Sequence, residues 1–92
     1  MAQSPLGAQF HGTVALAILH LRRLAKSNDI DECFGAAREL GMLDAEKEQF
    51  VRTCIALDAQ LTAGEIGPED LSYDQVARLQ RCILSINSAD PA

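Results

Sequence analysis

Apolar side chains recur at helical spacing in four stretches that fill most of this chain, and cap-forming residues separate the stretches. Side chains three and four residues apart share one face of an α-helix, so each stretch predicts an amphipathic helix. The predicted helices span residues 9–26, 30–40, 45–63 and 73–87. No stretch has the strict alternation that is typical of a half-buried strand. The pattern therefore predicts an all-α bundle of about four helices, whose short links favour antiparallel neighbours.

Cap-forming residues mark where three of these helices begin. Ser72 has Gln75 three residues after it, and Asp29 has Glu32 at the same distance. This spacing is that of the capping box, in which two side chains satisfy backbone N–H groups at the helix start. Asp44 is of a residue type that commonly caps helices and directly precedes the third helix, so it is predicted to be its N-cap. The fourth helix is therefore predicted to start at the residue after Ser72.

Glycines and composition shifts give the domain organisation. Gly41 and Gly64 lie where a left-handed residue commonly ends a helix. The first eight residues contain a serine–proline pair and a glycine, which predicts a flexible arm over residues 1–8. Residues 9–87 form a single helical domain, and residues 88–92 are expected to be a frayed tail.

Charge and cysteine usage narrow the functional classes. The 92 residues carry a net charge of −5, whereas nucleic-acid binding usually leaves a basic footprint. Three cysteines without a CxxC pair do not make a disulfide framework, which favours a reducing, cytoplasmic setting. The longest apolar run, residues 14–19, is far shorter than the roughly 20 residues that span a bilayer. We therefore expect neither a membrane segment nor a nucleic-acid partner.

Residues able to carry chemistry are present but not clustered. Cys33, Cys54 and Cys82 belong to three different predicted helices, each on or beside an apolar stripe, and are expected to be core residues. His11 and His20 are nine residues apart on the first helix, which sets them on opposite sides. No serine lies in a nucleophile elbow. We therefore expect no enzyme activity, no cofactor and no metal site.

One segment resembles a DNA-binding motif. The run ARELGM, residues 37–42, is similar to the middle of a helix-turn-helix, in which a small residue precedes the turn glycine by four. The motif then needs a buried aliphatic residue six positions after the glycine, where this chain has Lys47. Asp44, Glu46 and Glu48 would repel a phosphate backbone. A DNA-associated regulator that uses the second and third helices is therefore an alternative reading.

Asp58 is an acidic residue that falls inside the apolar arc of the third helix, where a hydrophobic residue is expected. A buried carboxylate is costly unless it is paired. One expectation is a buried ion pair within the chain, with Arg38 or Arg78, or a role in capping another helix. The other is that this part of the helix faces a partner that supplies the cation.

The first and fourth helices carry apolar side chains outside their main stripes. Two leucines of the first helix lie away from its stripe with an arginine close by, and three residues widen the stripe of the fourth. Either the bundle wraps these side chains, or another chain covers them. The predicted partner interface consists of Leu16, Leu19, Arg23, Tyr73, Ala77 and Leu84.

Charge is also segregated. The carboxyl end of the first helix is basic, which suits the helix dipole, and the last connector is acidic. Such clusters can steer a partner of opposite charge. The basic residues are Arg22, Arg23 and Lys26, and the acidic ones are Glu65, Glu69, Asp70 and Asp74.

Together these features predict a non-catalytic protein-interaction module that offers an apolar helix face to another protein, to a second copy of itself, or to both. The chain is similar in size, acidity and helicity to small bacterial secretion chaperones and co-chaperones, a likeness of bulk properties that no motif carries. An adaptor, a regulator or a chaperone-like protein fits these properties. An auxiliary subunit of an enzyme complex is an alternative that shares the same interface.

Overall fold

The computed structural model describes the backbone of residues 5–88 and the side chains of residues 5–86. Within this part of the chain the fold is all-α, with four helices, one short 3-10 turn and no strand. The bundle predicted from the sequence is thus confirmed. The helices are α1 (Pro5–Ala25), α2 (Ile30–Glu39), α3 (Ala45–Thr62) and α4 (Tyr73–Ser88), and the 3-10 turn is Pro68–Asp70.

Helix α1 begins four residues before its predicted start. Proline is tolerated in the first turn of a helix because the N–H that it lacks has no intrahelical acceptor there. Leu6 is buried in the core, and a Cβ atom placed on Gly7 would lie 3.6 Å from Cγ of Pro68. The predicted arm is therefore wrong for residues 5–8, which are helical. Residues 1–4 and 89–92, the rest of the predicted arm and tail, lie outside the described residues.

The capping box of α4 forms as predicted. The backbone N–H of Ser72 donates to Oε1 of Gln75 at 2.8 Å, and the N–H of Gln75 donates to Oγ of Ser72 at 3.3 Å. Asp44 caps α3 by accepting from the N–H of Lys47 at 2.8 Å. Two of the three predicted caps thus have the expected partners.

The start of α2 departs from the predicted box because a serine is interposed. Asp29 is the N-cap and accepts from the N–H of Asp31 at 3.0 Å. Its own N–H donates to Oγ of Ser27, whose hydroxyl donates to Glu32 at 2.7 Å. Glu32 therefore reaches the cap through Ser27 instead of bonding the Asp29 backbone directly.

One continuous hydrophobic core joins all four helices, and α1 packs against each of the other three. Leu40 lies within the predicted helix 30–40 and three residues after the buried Ala37, but it is exposed because α2 ends at Glu39 and the chain turns at Gly41 with a φ of 73°. Met42 and Leu43 are buried after the turn. The largest fully buried side chains are Phe10, Val14, Leu21, Cys33, Phe34, Val51, Cys54, Leu79 and Ile86.

Contacts between the helices fix their directions. Arg38 at the end of α2 reaches Glu48 near the start of α3, and Asp31 at the start of α2 reaches Arg52, so these two helices are antiparallel. Arg78 of α4 pairs with Glu46 in the first turn of α3. The start of α4 lies beside the start of α1 through the contact of residues 7 and 68, and the first halves of these two helices line one groove. Helices α1 and α4 therefore run in the same general direction.

Candidate functional site

The outer face of α4 is exposed along its length. Tyr73, Ala77, Gln80 and Leu84 fall within a narrow arc at 100° per residue, and we call these four residues the outer face of α4. Tyr73 is 60% exposed and Leu84 62% exposed, while Ala77 is half-buried between them. The core residues Val76, Leu79, Cys82, Ile83 and Ile86 occupy the opposite side. The capping box at Ser72 sets where this helix starts and hence which residues face outward.

The exposed side of α1 carries the two leucines that its core stripe did not explain. Leu16 and Leu19 are each 45% exposed, and Arg23 is exposed one turn beyond Leu19. Phe10, Val14, Ala17 and Leu21 are buried on the other side of the helix. The surrounding helices therefore do not wrap α1 completely, and part of its apolar surface remains open to solvent.

A groove of about 510 Å³ between the first halves of α1 and α4 brings several of the predicted interface residues together. Leu16 from α1 lies across it from Tyr73 and Ala77 of α4. Its lining residues are Gln9, Gly12, Thr13, Leu16, Tyr73, Val76, Ala77 and Gln80, and we call it the α1–α4 groove. An open surface of mixed apolar and amide character is suited to packing against another polypeptide.

The remaining predicted interface residues lie outside this groove. Leu19 and Arg23 continue along the exposed side of α1, beyond the lining residues. Leu84 is on the outer face of α4 but also borders a second groove, of about 480 Å³, between α4 and the start of α3. Three of the six predicted interface residues thus line the α1–α4 groove, and the other three lie beyond it on the exposed sides of α1 and α4.

The second groove is lined mainly by charged side chains, and one ion pair crosses it. Arg78 crosses it to Glu46 at 3.3 Å, while its guanidinium stacks over the ring of Phe50 at 4.5 Å. Lys47 and Arg81 are further basic residues at its rim. This arrangement braces α4 against α3.

Asp58 is paired within its own chain, and neither expected arginine is its partner. Nδ1 of His11 donates to the two carboxylate oxygens at 2.9 and 3.1 Å. The Asp58 side chain is 15% exposed, whereas that of His11 is largely in solvent. Arg38 and Arg78 instead pair with glutamates. The expectation of a pair with Arg38 or Arg78 is therefore wrong, and Asp58 fastens α3 to the start of α1.

A carboxylate that the sequence pattern did not single out organises the contact between α2 and α3. Glu48 accepts from Arg38 through both carboxylate oxygens, at 3.0 and 2.9 Å, and from Nε of Arg52 at 3.1 Å. Arg52 also donates to Asp31 at 2.8 Å and stacks over Phe34 at 4.4 Å. The spacing of Glu48 and Arg52 is the i, i+4 spacing of a helical ion pair. That spacing was the one signal in the sequence that could have revealed the network.

Hydrogen bonds from the arginines change the protonation equilibria of this network. Those from Arg38 are the main reason why the pKa of the Glu48 carboxyl is lowered, against the opposing effect of burial. The pKa of the Arg52 guanidinium is raised, mainly by its bond to Asp31. Glu48 and Arg52 are therefore held in their charged forms, as expected for a structural clamp.

The three cysteines are buried and unpaired, each from a different helix. Burial, followed by the proximity of Cys82, raises the pKa of the Cys54 thiol to about 11. Burial is also the main cause of the raised pKa of Cys33, whose Sγ donates to the backbone oxygen of Ser27 at 3.4 Å. The thiolate is the form that acts as a nucleophile or binds a metal. These thiols therefore behave as core residues, as the sequence predicted.

Among residues 5–88, no three histidine, cysteine, aspartate or glutamate side chains are grouped so that they could hold a metal ion. None of the helices in this part of the chain is both long and apolar enough to cross a bilayer. No protein-family model matches the chain, and no curated protein and no solved structure is significantly similar to it.

Proposed function

We propose that the protein is a non-catalytic interaction module that presents the α1–α4 groove and the adjoining outer face of α4 to another polypeptide. The observation that carries this proposal is the exposure of Leu16, Tyr73 and Leu84 on two neighbouring helices whose other sides are fully packed. Covering such side chains gains roughly 25 cal/mol for each Å² of apolar surface removed from water. A chain of this kind would serve as an adaptor, a regulator or a chaperone-like protein.

Other features support this reading. The groove has apolar and amide side chains but few charges, which is the composition of an interface centre. Charged residues lie beyond its ends, where they would guide the encounter with a partner. Three unpaired buried thiols favour a reducing compartment such as the cytoplasm.

Partner capture with matched leucine variants tests the proposal. The tagged chain would be incubated with an extract of its native host, together with a Leu16→Asp/Leu19→Asp variant and a Leu40→Asp control. Leu40 is also an exposed leucine, but it lies at the end of α2, away from the groove. We expect proteins that the original chain and the control retain and that the double variant loses.

Two results would contradict the proposed function. One is that the double variant retains every protein that the original chain retains. The other is that the Leu40→Asp control loses the same proteins, because the effect would then not depend on the groove. Circular dichroism of all three chains establishes that each is folded.

The DNA-associated alternative has a weaker physical basis. The segment after Gly41 has Met42 and Leu43 in the core, and the start of α3 exposes Asp44, Glu46 and Lys47. Two carboxylates beside one amine oppose a phosphate backbone. A gel shift with random duplex at low salt separates the two readings, since a DNA-binding chain retards the duplex under those conditions.

A further inference from the structure

We propose that the outer face of α4 pairs with the same face of a second copy of this chain, the two α4 helices lying antiparallel across a two-fold axis. The inference rests on the proposed function, because it uses the same apolar surface and names one occupant for it. It is argued from the charges that flank the apolar residues of α4 and from the direction in which they run.

Charge is polarised along α4. Asp74 lies in its first turn and Arg81 two turns later, and both side chains are exposed. Seven residues correspond to nearly two full turns, so the two charges lie on the same side of the helix. They border the outer face at opposite ends, with the small residue Ala77 between them.

Neither of these two side chains has an ion-pair partner among the described residues of its own subunit. Among the described side chains, Asp74 and Arg81 take part in no ion pair, whereas Arg78, on the side of α4 that faces α3, is paired with Glu46. Arg78 is thus matched internally, whereas Arg81, which also lines the second groove, is not. The charges that border the outer face are left for a partner of opposite polarity.

The polarity selects one of the two ways in which identical faces can meet. A two-fold contact brings the same patch of both subunits together. If the axis runs along the helices, the two copies of Asp74 lie at the same level but on opposite flanks of the helix pair, so no pair with Arg81 forms. If the axis runs across the helices, Asp74 meets Arg81 of the second copy, and the reverse pair forms at the other end.

The apolar residues fit the same register. Tyr73 and Leu84 lie near the two ends of the outer face, so the antiparallel arrangement places each within about one turn of the other across the axis. Ala77 lies near the centre, where a small side chain allows two helices to approach closely. The register set by the charges therefore covers the largest exposed apolar side chains of α4.

The charged residues that adjoin α4 and the end of α1 on this surface have the same polarity. Exposed Glu69 and Asp70 precede α4, while exposed Arg22, Arg23 and Lys26 end α1. Since α1 and α4 run in the same general direction, the acidic residues are at one end of the combined surface and the basic residues at the other. An axis across the helices brings unlike ends together over the whole surface, which favours encounter in this orientation.

The area required extends the contact beyond α4. A stable interface buries about 800 Å² on each partner, roughly one seventh of the 5794 Å² accessible surface. A helix of 16 residues is only about 24 Å long, so its outer strip alone does not supply that area. The α1–α4 groove, with Leu16 at its edge, must therefore be covered as well.

Charge reversal in the full chain tests the pairing. Sedimentation velocity over about 1 to 200 μM would give the dimer dissociation constant of the original chain. We expect Asp74→Arg alone and Arg81→Asp alone each to raise that constant at least about tenfold, because each places like charges at both ends of the interface. Glu39→Arg, an exposed charge reversal at the end of α2, is the matched control and should leave the constant unchanged.

Two recombined samples make the test specific for the antiparallel register. An equimolar mixture of the two single variants restores opposite charges at both contacts, so we expect it to form heterodimers although neither variant dimerises well alone. The double variant Asp74→Arg/Arg81→Asp is expected to dimerise with the original affinity. Circular dichroism should show the same helix content for all variants, because both positions are exposed.

Three outcomes would overturn the inference: an original chain that remains monomeric throughout, a dimer that is indifferent to both reversals, or a mixture that fails to associate. Each is read on the purified chain alone. The capture experiment instead depends on proteins of the host extract and on Leu16 and Leu19. If the chain is monomeric but captures a groove-dependent partner, the dimer is rejected and the proposed function stands. If the chain forms the charge-dependent dimer but captures no such partner, the dimer stands and the proposed function is rejected.

Discussion

Glu48 holds arginines from two helices on a single carboxylate whose side chain is only 12% exposed. Removing a carboxylate from water is costly, and here bonds from Arg38 and Arg52 offset that cost. Because Arg52 also covers the ring of Phe34, the network lies directly over the core. Loss of the Glu48 charge should therefore weaken the junction of α2 and α3, with little effect on the surface formed by α1 and α4.

Glu48→Gln should reduce stability in a pH-dependent way. The pKa of Glu48 is lowered in the folded chain, so its charge stabilises the fold above the ordinary glutamate pKa, and that contribution is lost as the pH falls through the folded value. We expect the variant to be less stable by about 1 kcal/mol at about pH 7, a value kept small because Arg38 is largely in solvent. At about pH 2 the difference should be smaller, because protonation removes the charge of Glu48 as the pH falls through its folded pKa.

Urea denaturation at the two pH values measures this difference. Glu46→Gln is the control, since its carboxylate pairs with Arg78 while largely exposed to solvent, and no measurable change is expected. An equal loss of stability at both pH values would mean that the network does not act through the charge of Glu48.

The buried thiols should be unreactive in the native chain. With the pKa of Cys54 raised to about 11 by burial and by Cys82, only a small fraction is thiolate at about pH 8. We expect alkylation by iodoacetamide to be at least about tenfold slower in the native chain than in denaturant. Thr53→Cys, at an exposed position beside Cys54, provides a reference thiol that should react without unfolding. Three native thiols labelled as fast as this reference would contradict the burial described above.

At the scale of the element, α4 owes its position to local chemistry. Its first turn is closed by reciprocal bonds between Ser72 and Gln75, and the buried residues Leu71 and Val76 flank them on either side. This is the spacing of a hydrophobic staple, which fixes how the chain enters a helix. Since the outer face begins at Tyr73, any change in the helix start would rotate or shorten that face.

Ser72→Ala should destabilise the protein by about 1 kcal/mol, the usual cost of losing an N-cap side chain. Thermal and urea unfolding followed by circular dichroism would measure the change. Thr62→Ala, at the last residue of α3 and exposed, removes a hydroxyl from a helix end and should change stability by less than about 0.5 kcal/mol. Similar losses for both variants would show that the hydroxyl of Ser72 does not act as a cap.

The elements that could be predicted from the sequence are those whose causes are local. The Ser72 box spans three residues, and the left-handed conformations of Gly41 and Gly64 occur where the periodic stretches stop. The start of α1 depends instead on the burial of Leu6 and on a contact with Pro68, more than 60 positions away. A serine–proline pair followed by glycine looks locally like an arm. Only the tertiary contact makes it helical.

The residues of the candidate site likewise divide into those that local sequence could predict and those that depend on tertiary contacts. That the second leucine pair of α1 lies away from its core stripe followed from helical periodicity, while its exposure was one of two alternatives that the periodicity left open. The partner of Asp58 did not follow from periodicity. His11 is 47 positions away, and the sequence pattern did not determine how α1 is oriented relative to α3. Leu40 has the helical spacing of a buried residue of α2 but is exposed, because the helix ends one residue before it.

At the scale of the whole molecule, α1 is the element on which the others depend. It packs against α2, α3 and α4, and Phe10, Val14, Ala17 and Leu21 on its core side are fully or almost fully buried. A domain of this size has a marginal stability of roughly 5–15 kcal/mol. Losing one large side chain from this helix should therefore remove a substantial fraction of the total.

Two substitutions on opposite sides of α1 should differ in their effect on unfolding. Phe10→Ala should lower the free energy of unfolding by about 3–5 kcal/mol, because it leaves a cavity at the centre of the bundle. Leu16→Ala, on the exposed side, should change it by less than about 1 kcal/mol. Denaturant titrations read by circular dichroism give both values. Equal losses would show that the leucine is packed within the bundle.

Helix α1 supplies both the centre of the core and one wall of the α1–α4 groove. A polypeptide bound in that groove therefore contacts the helix on which the stability of the whole bundle depends. A bound polypeptide that recognises only the native arrangement raises the melting temperature by mass action, and the stabilisation grows with the logarithm of its concentration over its dissociation constant. Heat resistance of the chain in the presence of candidate binders is therefore a label-free gauge of recognition.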